Sequence, residues 1–558
     1  MKMVNAYQRK LICSRLAVVG SIITLVAGIA TLTYFDSTRY DEFRLNQLVI
    51  GRSPQRTKDW IRNPAPVLVK FYFFDITNPS AFDATNSAEV VPSFVERGPY
   101  VYEEKQEKTR VVWNKNGTVS FHKNTTYHFR RDLSVGFDDD SLVVLNTLIV
   151  AVGNAFTKTW MNLHQLKYRY PTGEFFNKGR EFWKNHQHIA PKHRVKDIIW
   201  GHSNNILDLL HRYVGVSKDE FPEMDGLFGF AGTNNTQSKE FEMLTGADGL
   251  NKMGMISRWD KSDKLNHWKF EDCDSVAGWD GQLFPPNINR HTKLQIFEPK
   301  LCRRMPLEFI EERVHEGLPV YRFGVSDALF DPEATMNTCY CSQMTNNQCG
   351  IRGTFSISNC KKGYESWPLL YSKPHFLYGN PILLKELKGL RPRKEDHDSY
   401  YDIIPQLGIP VASKVRIQLN AYIDELFDEK FSGKLLPTTT RNFMKSGIYP
   451  VFWFERGYDS LTEKQLNQVR NILEWQAPLR WGLGITMLVL SLILATVSFN
   501  LMRSTSFDLN STGRPRNQNS ARMFFSDTEG AVSEIDGNWG AEKSDYNDNV
   551  ILISTTVN

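Results

Sequence analysis

The chain has 558 residues, of which 41% are hydrophobic and 12% aromatic, and its formal net charge is +5. That length can bury a large core, as one big domain or a few average ones, and a charge so close to balance argues against a nucleic-acid binder, whose basic patch would show as a strong excess. Two uncharged apolar runs, 16–35 and 481–502, are each long enough to cross a bilayer as a helix.

Residues 1–15 carry Lys2, Arg9, Lys10 and Arg15 and no acid, so the positive-inside bias keeps them in the cytosol. A cleaved signal peptide ending near Ala30 is the poorer reading of the first run, because the apolar core is long and no clear A-x-A site follows it. The expected organisation is therefore a cytosolic N-terminus (1–15), a first transmembrane helix (16–35), an extracellular or luminal ectodomain (36–480), a second transmembrane helix (481–502) and a disordered cytosolic tail (503–558). Three sequons, Asn116-Gly-Thr118, Asn124-Thr-Thr126 and Asn234-Asn-Thr236, all fall in the ectodomain; a fourth, Asn510-Ser-Thr512, lies on the cytosolic side and is expected to stay unused. Gly20, Thr24 and Gly28 form a small-residue stripe in the first span that suits helix association.

Beyond the first span a short helix is expected within 36–60, followed by a strand from Val67 to Phe74. Glu96-Arg-Gly-Pro-Tyr100 reads as a turn. Val111–Trp113 and Val119–His122, joined at Asn116-Gly117, read as a hairpin. From 141 to 215 the apolar period becomes helical, which predicts a helical subdomain set into a β-rich body. Its segment Lys184, His186, His188, Lys192, His193, Arg194 and Lys196 is strongly basic and could steer anionic ligands, the more so as the histidines charge in acid. The alternative is an ordinary solvated face. The histidines lack further metal ligands at suitable spacing, and Asp138-Asp-Asp140 reads as a solvated turn. Residues 318–325 and 413–423 alternate as strands do, and Ser460-Leu-Thr-Glu463 reads as a capping box for a helix over 461–475. In the tail, Asp548, Leu552 and Ile553 fit an acidic dileucine sorting signal that adaptor proteins would read.

Six of the seven cysteines, Cys273, Cys302, Cys339, Cys341, Cys349 and Cys360, crowd into one stretch. This is a local disulfide framework suited to an oxidising compartment. Six cysteines allow about 15 pairings, and spacing alone does not choose among them. No catalytic constellation stands out: Gly324-Val-Ser-Asp-Ala328 lacks the final glycine of a nucleophile elbow.

Several of these stretches, taken in order, resemble the class B scavenger receptor family. They are Glu96-Arg-Gly-Pro-Tyr100, Arg131-Asp-Leu-Ser-Val-Gly136, Ile199-Trp-Gly201, Asp280-Gly281 with Phe284-Pro-Pro286, Phe297 to Arg303, Gly317 to Phe323 and Pro374-His-Phe-Leu-Tyr378. The likeness runs over about residues 10–500. It implies an α+β fold: a large ectodomain with a distorted antiparallel β-barrel core and a helical apex at about 141–215, anchored by two transmembrane helices. It also implies the pairs Cys273–Cys339, Cys302–Cys360 and Cys341–Cys349. By the same likeness, the apex would meet lipids, fatty acids, sterols or lipoprotein-like particles. A tunnel would carry lipid to the membrane without any cofactor or enzyme chemistry, at the cell surface or in endosomes and lysosomes. A two-span ion channel shares the topology, but these spans contain no charged residue and little that would line a pore.

Overall fold

The run Leu68–Ile76 is built from β-branched and aromatic residues, and it forms a strand (β1) that buries Val69, Phe71, Phe73, Phe74 and Ile76. Each of these large side chains contributes about 1.5–3 kcal/mol by leaving water. Eleven more strands follow: β2 Phe94–Trp113, β3 Thr118–Phe129, β4 Phe241–Leu244, β5 Met255–Trp259, β6 Gly278–Trp279, β7 Leu294–Glu298, β8 Arg303–His315, β9 Leu318–Val325, β10 Tyr400–Ile404, β11 Ile409–Ile423 and β12 Gly447–Tyr458. The computed structural model describes residues 2–35, 48–79, 91–147, 150, 190–203, 227–228, 234–341, 349–356, 369–423, 447–474 and 476–512.

Each strand pairs with its neighbour in the chain, and β12 pairs with both β11 and β1, so the sheet closes into a twelve-stranded barrel. Closure removes the exposed edges that an open sheet would present. All neighbours are antiparallel except β6 and β7, which meet in parallel at Trp279 and Ile296. Strand Leu369–Ser372 adds beside β11, and Thr354–Ser356 adds beside that. The fold is α+β, as the resemblance implied.

Several local expectations change. Glu96-Arg-Gly-Pro-Tyr100 is not a turn; it lies inside β2, where the register with β1 shifts between Phe71 and Phe73. Pro99 has no N–H to give the ladder, and a Cβ on Gly98 would lie 2.7 Å from the Phe71 carbonyl oxygen, so this pair of residues suits the irregularity. The β2–β3 hairpin is present, but its connection spans 114–117, closed by Asn114 N–H donating to the Thr118 carbonyl at 2.9 Å. Ser141–Val143 is a strand paired with Lys192–Arg194 rather than the start of a helix. Most of the expected helical subdomain, 151–189 and 204–215, lies outside the described residues; Val195–Trp200 is helical. Between the first span and β1, the helix is Pro54–Ile61, capped by Ser53.

The capping box is displaced by two residues. The helix is Glu463–Glu474, and Gln465 accepts from both the backbone N–H and the hydroxyl of Thr462, at 2.9 and 2.7 Å. Ser460 is engaged instead by His315 at 3.2 Å. Thr462→Ala is therefore expected to cost about 1 kcal/mol, and Ser460→Ala less; equal losses in chemical denaturation would contradict this assignment.

The described residues fall into two units, one within 25–488 and the other pairing 2–24 with 489–512. The terminal helices are Lys2–Phe35 and Gln476–Thr512, and the latter continues past the expected boundary at 502. Their stretches Gln8–Tyr34 and Trp481–Ser504 are long and apolar enough to cross a membrane. In the second unit, Ser14 and Ser498 exchange hydroxyl-to-carbonyl hydrogen bonds at 3.3 and 3.1 Å. Ser21 and Ser491 repeat the exchange at 3.0 and 2.9 Å. The spacing of seven residues is two helical turns. Thr24 turns back onto its own helix, donating to the Gly20 carbonyl, while Gly20 faces Leu494. Serines, with Gly20, thus form this seam rather than the Gly20–Thr24–Gly28 stripe alone.

Candidate functional site

Three polar groupings bear on function. The first is the basic segment. Lys184, His186 and His188 lie outside the described residues. Lys192, His193 and Arg194 form the short strand beside Ser141–Val143, and Lys196 opens the following helix. Arg194 is held by Asp197 at 2.7 Å and by Asp139 at 3.4 Å, and Lys196 by Asp139 at 2.6 Å. Asp138-Asp-Asp140 therefore turns towards this segment; Asp140 also accepts from Tyr100 and from the Phe137 N–H. Two of the cations have their charge balanced locally, and Lys192 is exposed.

The second grouping is a set of buried ion pairs linking strands that are not neighbours. Arg456 of β12 grips Glu104 of β2 in a two-pronged bond at 2.8 and 2.5 Å, past β1. Burial alone would raise the Glu104 carboxyl, but the charge and hydrogen bonds of Arg456 hold it below the usual carboxylate range. Lys123 of β3 pairs with Asp280 at 3.1 Å. Beside them Lys108 donates to Gln282 and to the Trp60 carbonyl, both at 2.7 Å, and lies over the Trp60 ring. Burial pushes its amine down to about 7, against the pull of Asp280. Arg456 keeps 38% of its side-chain surface accessible, whereas Glu104 is buried.

The third grouping joins Glu96, His375 and His397, whose candidate ligand atoms lie within 4.8 Å of one another. Their hydrogen bonds speak against a metal. Nδ1 of His375 accepts from the Arg391 N–H at 3.0 Å, and Nδ1 of His397 accepts from the Arg393 N–H at 2.9 Å. In a neutral ring the hydrogen must then sit on Nε2, which leaves no lone pair there for an ion. His375 instead donates from Nε2 to Glu96 at 2.6 Å, and Trp453 donates to the same oxygen at 2.8 Å. Burial would raise the Glu96 carboxyl, but these two donors hold it down. Sequence reading missed both this cluster and Glu104–Arg456. Glu96 and His375 stood inside quoted motifs, but nothing local signals a partner some 280 positions away.

Of the remaining candidates, Cys273–Cys339 and Cys341–Cys349 are disulfides with Cα separations of 6.1 and 5.3 Å. Cys302 is disulfide-bonded as well, and Cys360 lies outside the described residues. Asn116 and Asn234 are exposed; Asn124 is half-buried on β3, and its side-chain oxygen is buried without a hydrogen bond. Ser326 donates to Glu308 and caps a short helical turn, with no histidine beside it among its described contacts. Asp548, Leu552 and Ile553 are outside the described residues.

A closed β-barrel on a chain with an apolar helix at each end defines a class of membrane-anchored barrel proteins. The sequence model of the CD36 family matches residues 18–502, and the chain belongs to that family. Scavenger receptor class B member 1 of Mus musculus is 31% identical over 400 residues, which is 71% of this chain and 71% of the relative. Lysosome membrane protein 2 is 28% identical in Mus musculus and 27% in Homo sapiens, over 82% of this chain and 87% of each relative.

Proposed function

We propose that this protein is a two-span receptor that binds lipids or anionic lipoprotein-like particles on its ectodomain and passes lipid to the bilayer without covalent chemistry. The observation that carries the reading is Arg456. On the strand that closes the barrel, its side chain keeps 38% of its surface accessible while its partner Glu104 is buried. Tyr127 and Tyr458 are likewise only half-buried, and the fields of Glu104 and Arg456 reach Tyr127. A lipid chain moving from water into an apolar conduit would gain about 0.8 kcal/mol per CH₂.

In this reading residues 36–480 lie outside or in a lumen, both termini are cytosolic, and Asn116, Asn124 and Asn234 carry glycans. Lys184, His186, His188, Lys192, His193, Arg194 and Lys196 supply the anion-attracting charge of a helical apex, with Arg194 and Lys196 tempered by Asp197 and Asp139. Transfer is tested by labelling a Tyr127→Cys variant with a bulky, membrane-impermeant thiol reagent in cells. Labelling should stop uptake of a fluorescent sterol ester while particle binding persists; uptake untouched by the label would sink the conduit.

A second reading is an endolysosomal exporter of lipid or carrier of a luminal protein. It draws on the lysosome membrane protein 2 relatives and on Asp548, Leu552 and Ile553. A double Leu552→Ala, Ile553→Ala variant should move to the cell surface, and an unchanged distribution would end the sorting role.

A further inference from the structure

Segment 387–397 crosses the start of β2 as a strap with Lys388, Arg391, Arg393 and Lys394 exposed on it. One end is fixed by backbone: the Phe94 N–H donates to the Lys388 carbonyl and the Lys388 N–H to the Pro92 carbonyl, both at 3.0 Å. The other half is fixed by two buried imidazoles, through the Arg391 and Arg393 N–H groups that donate to His375 and His397, and by the buried Arg416 guanidinium, which donates to the Glu395 carbonyl at 3.4 Å. Pro392, between them, has no N–H to offer. The two rings stack at 4.3 Å with 14° between their planes, His375 against Phe74 and His397 against Trp453.

An imidazolium donates from both nitrogens. Since each Nε2 already carries hydrogen, any further proton must go to Nδ1, where it would confront a backbone N–H. We propose that the stacked pair His375–His397 is an acid-operated fastening: proton uptake at Nδ1 of His397 expels the amide of Arg393 and frees the basic strap 387–397.

The charges around the pair come from every element packed on it. Glu96 of β2 and Asp396 of the strap favour the His397 imidazolium, whereas Arg393 and charge on His375 oppose it. Tyr72 of β1 lies near Glu96, Glu455, Arg416 and Asp396. Lys70, Glu455 and Arg416 are paired among themselves, and Lys373 is paired with Asp327 and Asp398. Burial outweighs these and brings His397 down to about 4. A folded value below the ordinary 6.5 means that the fastening stabilises the strap above pH 6.5 and loses that effect as pH falls towards 4. If the opened strap restores an ordinary imidazole, the open-to-closed ratio rises about 20-fold from pH 7 to 5 and about 100-fold by pH 4.

Hydrogen–deuterium exchange of the full-length protein in detergent, corrected for the intrinsic effect of pH, reads the strap through a peptide covering 387–397. Its protection should fall about 20-fold between pH 7 and 5, while that of β11 holds. His397→Asn keeps an acceptor oxygen near the position of Nδ1 but cannot take a proton, so its strap should stay protected at pH 5. Equal protection of the wild-type strap at both pH values overturns the proposal, as does an acid loss in His397→Asn that matches the wild type. Should that variant not fold, ¹⁵N-histidine spectra of the wild type decide. Rings that are neutral and Nε2-protonated at pH 7, and convert over the range in which the strap loses protection, support the fastening; conversion without loss overturns it.

Discussion

Arg456→Leu is expected to remove about 3–5 kcal/mol of stability at neutral pH. The cost does not come chiefly from the lost attraction. Glu104, whose side chain is 2% exposed, would keep a carboxylate with its main partner gone, and must either stay charged in a poor medium or take up a proton. Replacing both residues by leucine removes the stranded charge, so the double variant should regain most of the loss. In the wild type the Glu104 carboxyl is depressed in the folded state, so its contribution is present above pH 4.5 and is lost as pH falls through the lower folded value. Arg456→Leu should flatten this acid-side slope. Chemical denaturation of the two variants at pH 7 checks the main claim: a single variant within a few tenths of a kcal/mol of the wild type would refute it.

Removing the Cys273–Cys339 bridge with a double alanine variant should cost about 4 kcal/mol, against about 2.5 for the Cys341–Cys349 bridge. The bridges close loops with sequence separations of 66 and 8 residues, and in the chain-entropy account the longer loop restrains the unfolded chain more. Cys273 is buried beside the core, so its loss also leaves a void, whereas Cys341 is only half-buried. Unfolding midpoints of the two variants under non-reducing conditions should fall in that order. The reverse order would mean that local strain or residual structure, rather than loop length, governs these bonds.

Much of the barrel is legible in the sequence because strand periodicity is local. Leu68–Ile76 carries its β-branched and aromatic composition, Leu318–Val325 and the 413–423 stretch carry their own alternation, and the apolar runs at the two ends carry their own length. Where a motif admits two meanings, local reading fails. Gly98-Pro99 signals a turn equally well when it marks an irregularity inside a long strand. Thr462 and Ser460 are both good caps, and only the position of His315 shows that Ser460 is engaged elsewhere. The site is the least legible part. Glu104 and Arg456 are 352 positions apart, and Glu96 and His375 are 279 apart. A buried charge looks like any surface charge until the sheet closes. The basic segment shows the opposite error: its cations stand out in sequence, yet Asp139 and Asp197 balance two of them.

Barrel closure also sets how the ectodomain would answer to force. β1 and β12 run antiparallel, with Leu68 opposite Gly457, so the chain enters and leaves the barrel at the same end of one ladder. A pull that separated the two flanking segments would load that ladder as a peel, breaking one rung at a time, rather than as a shear shared by all rungs. β12 is also bonded along its length to β11, so peeling it from β1 would open the cylinder into a sheet without detaching the strand. On this geometry such a pull falls first on the closing seam, and Tyr72 stacked flat on Trp453 at 3.9 Å lies across that line as a rivet.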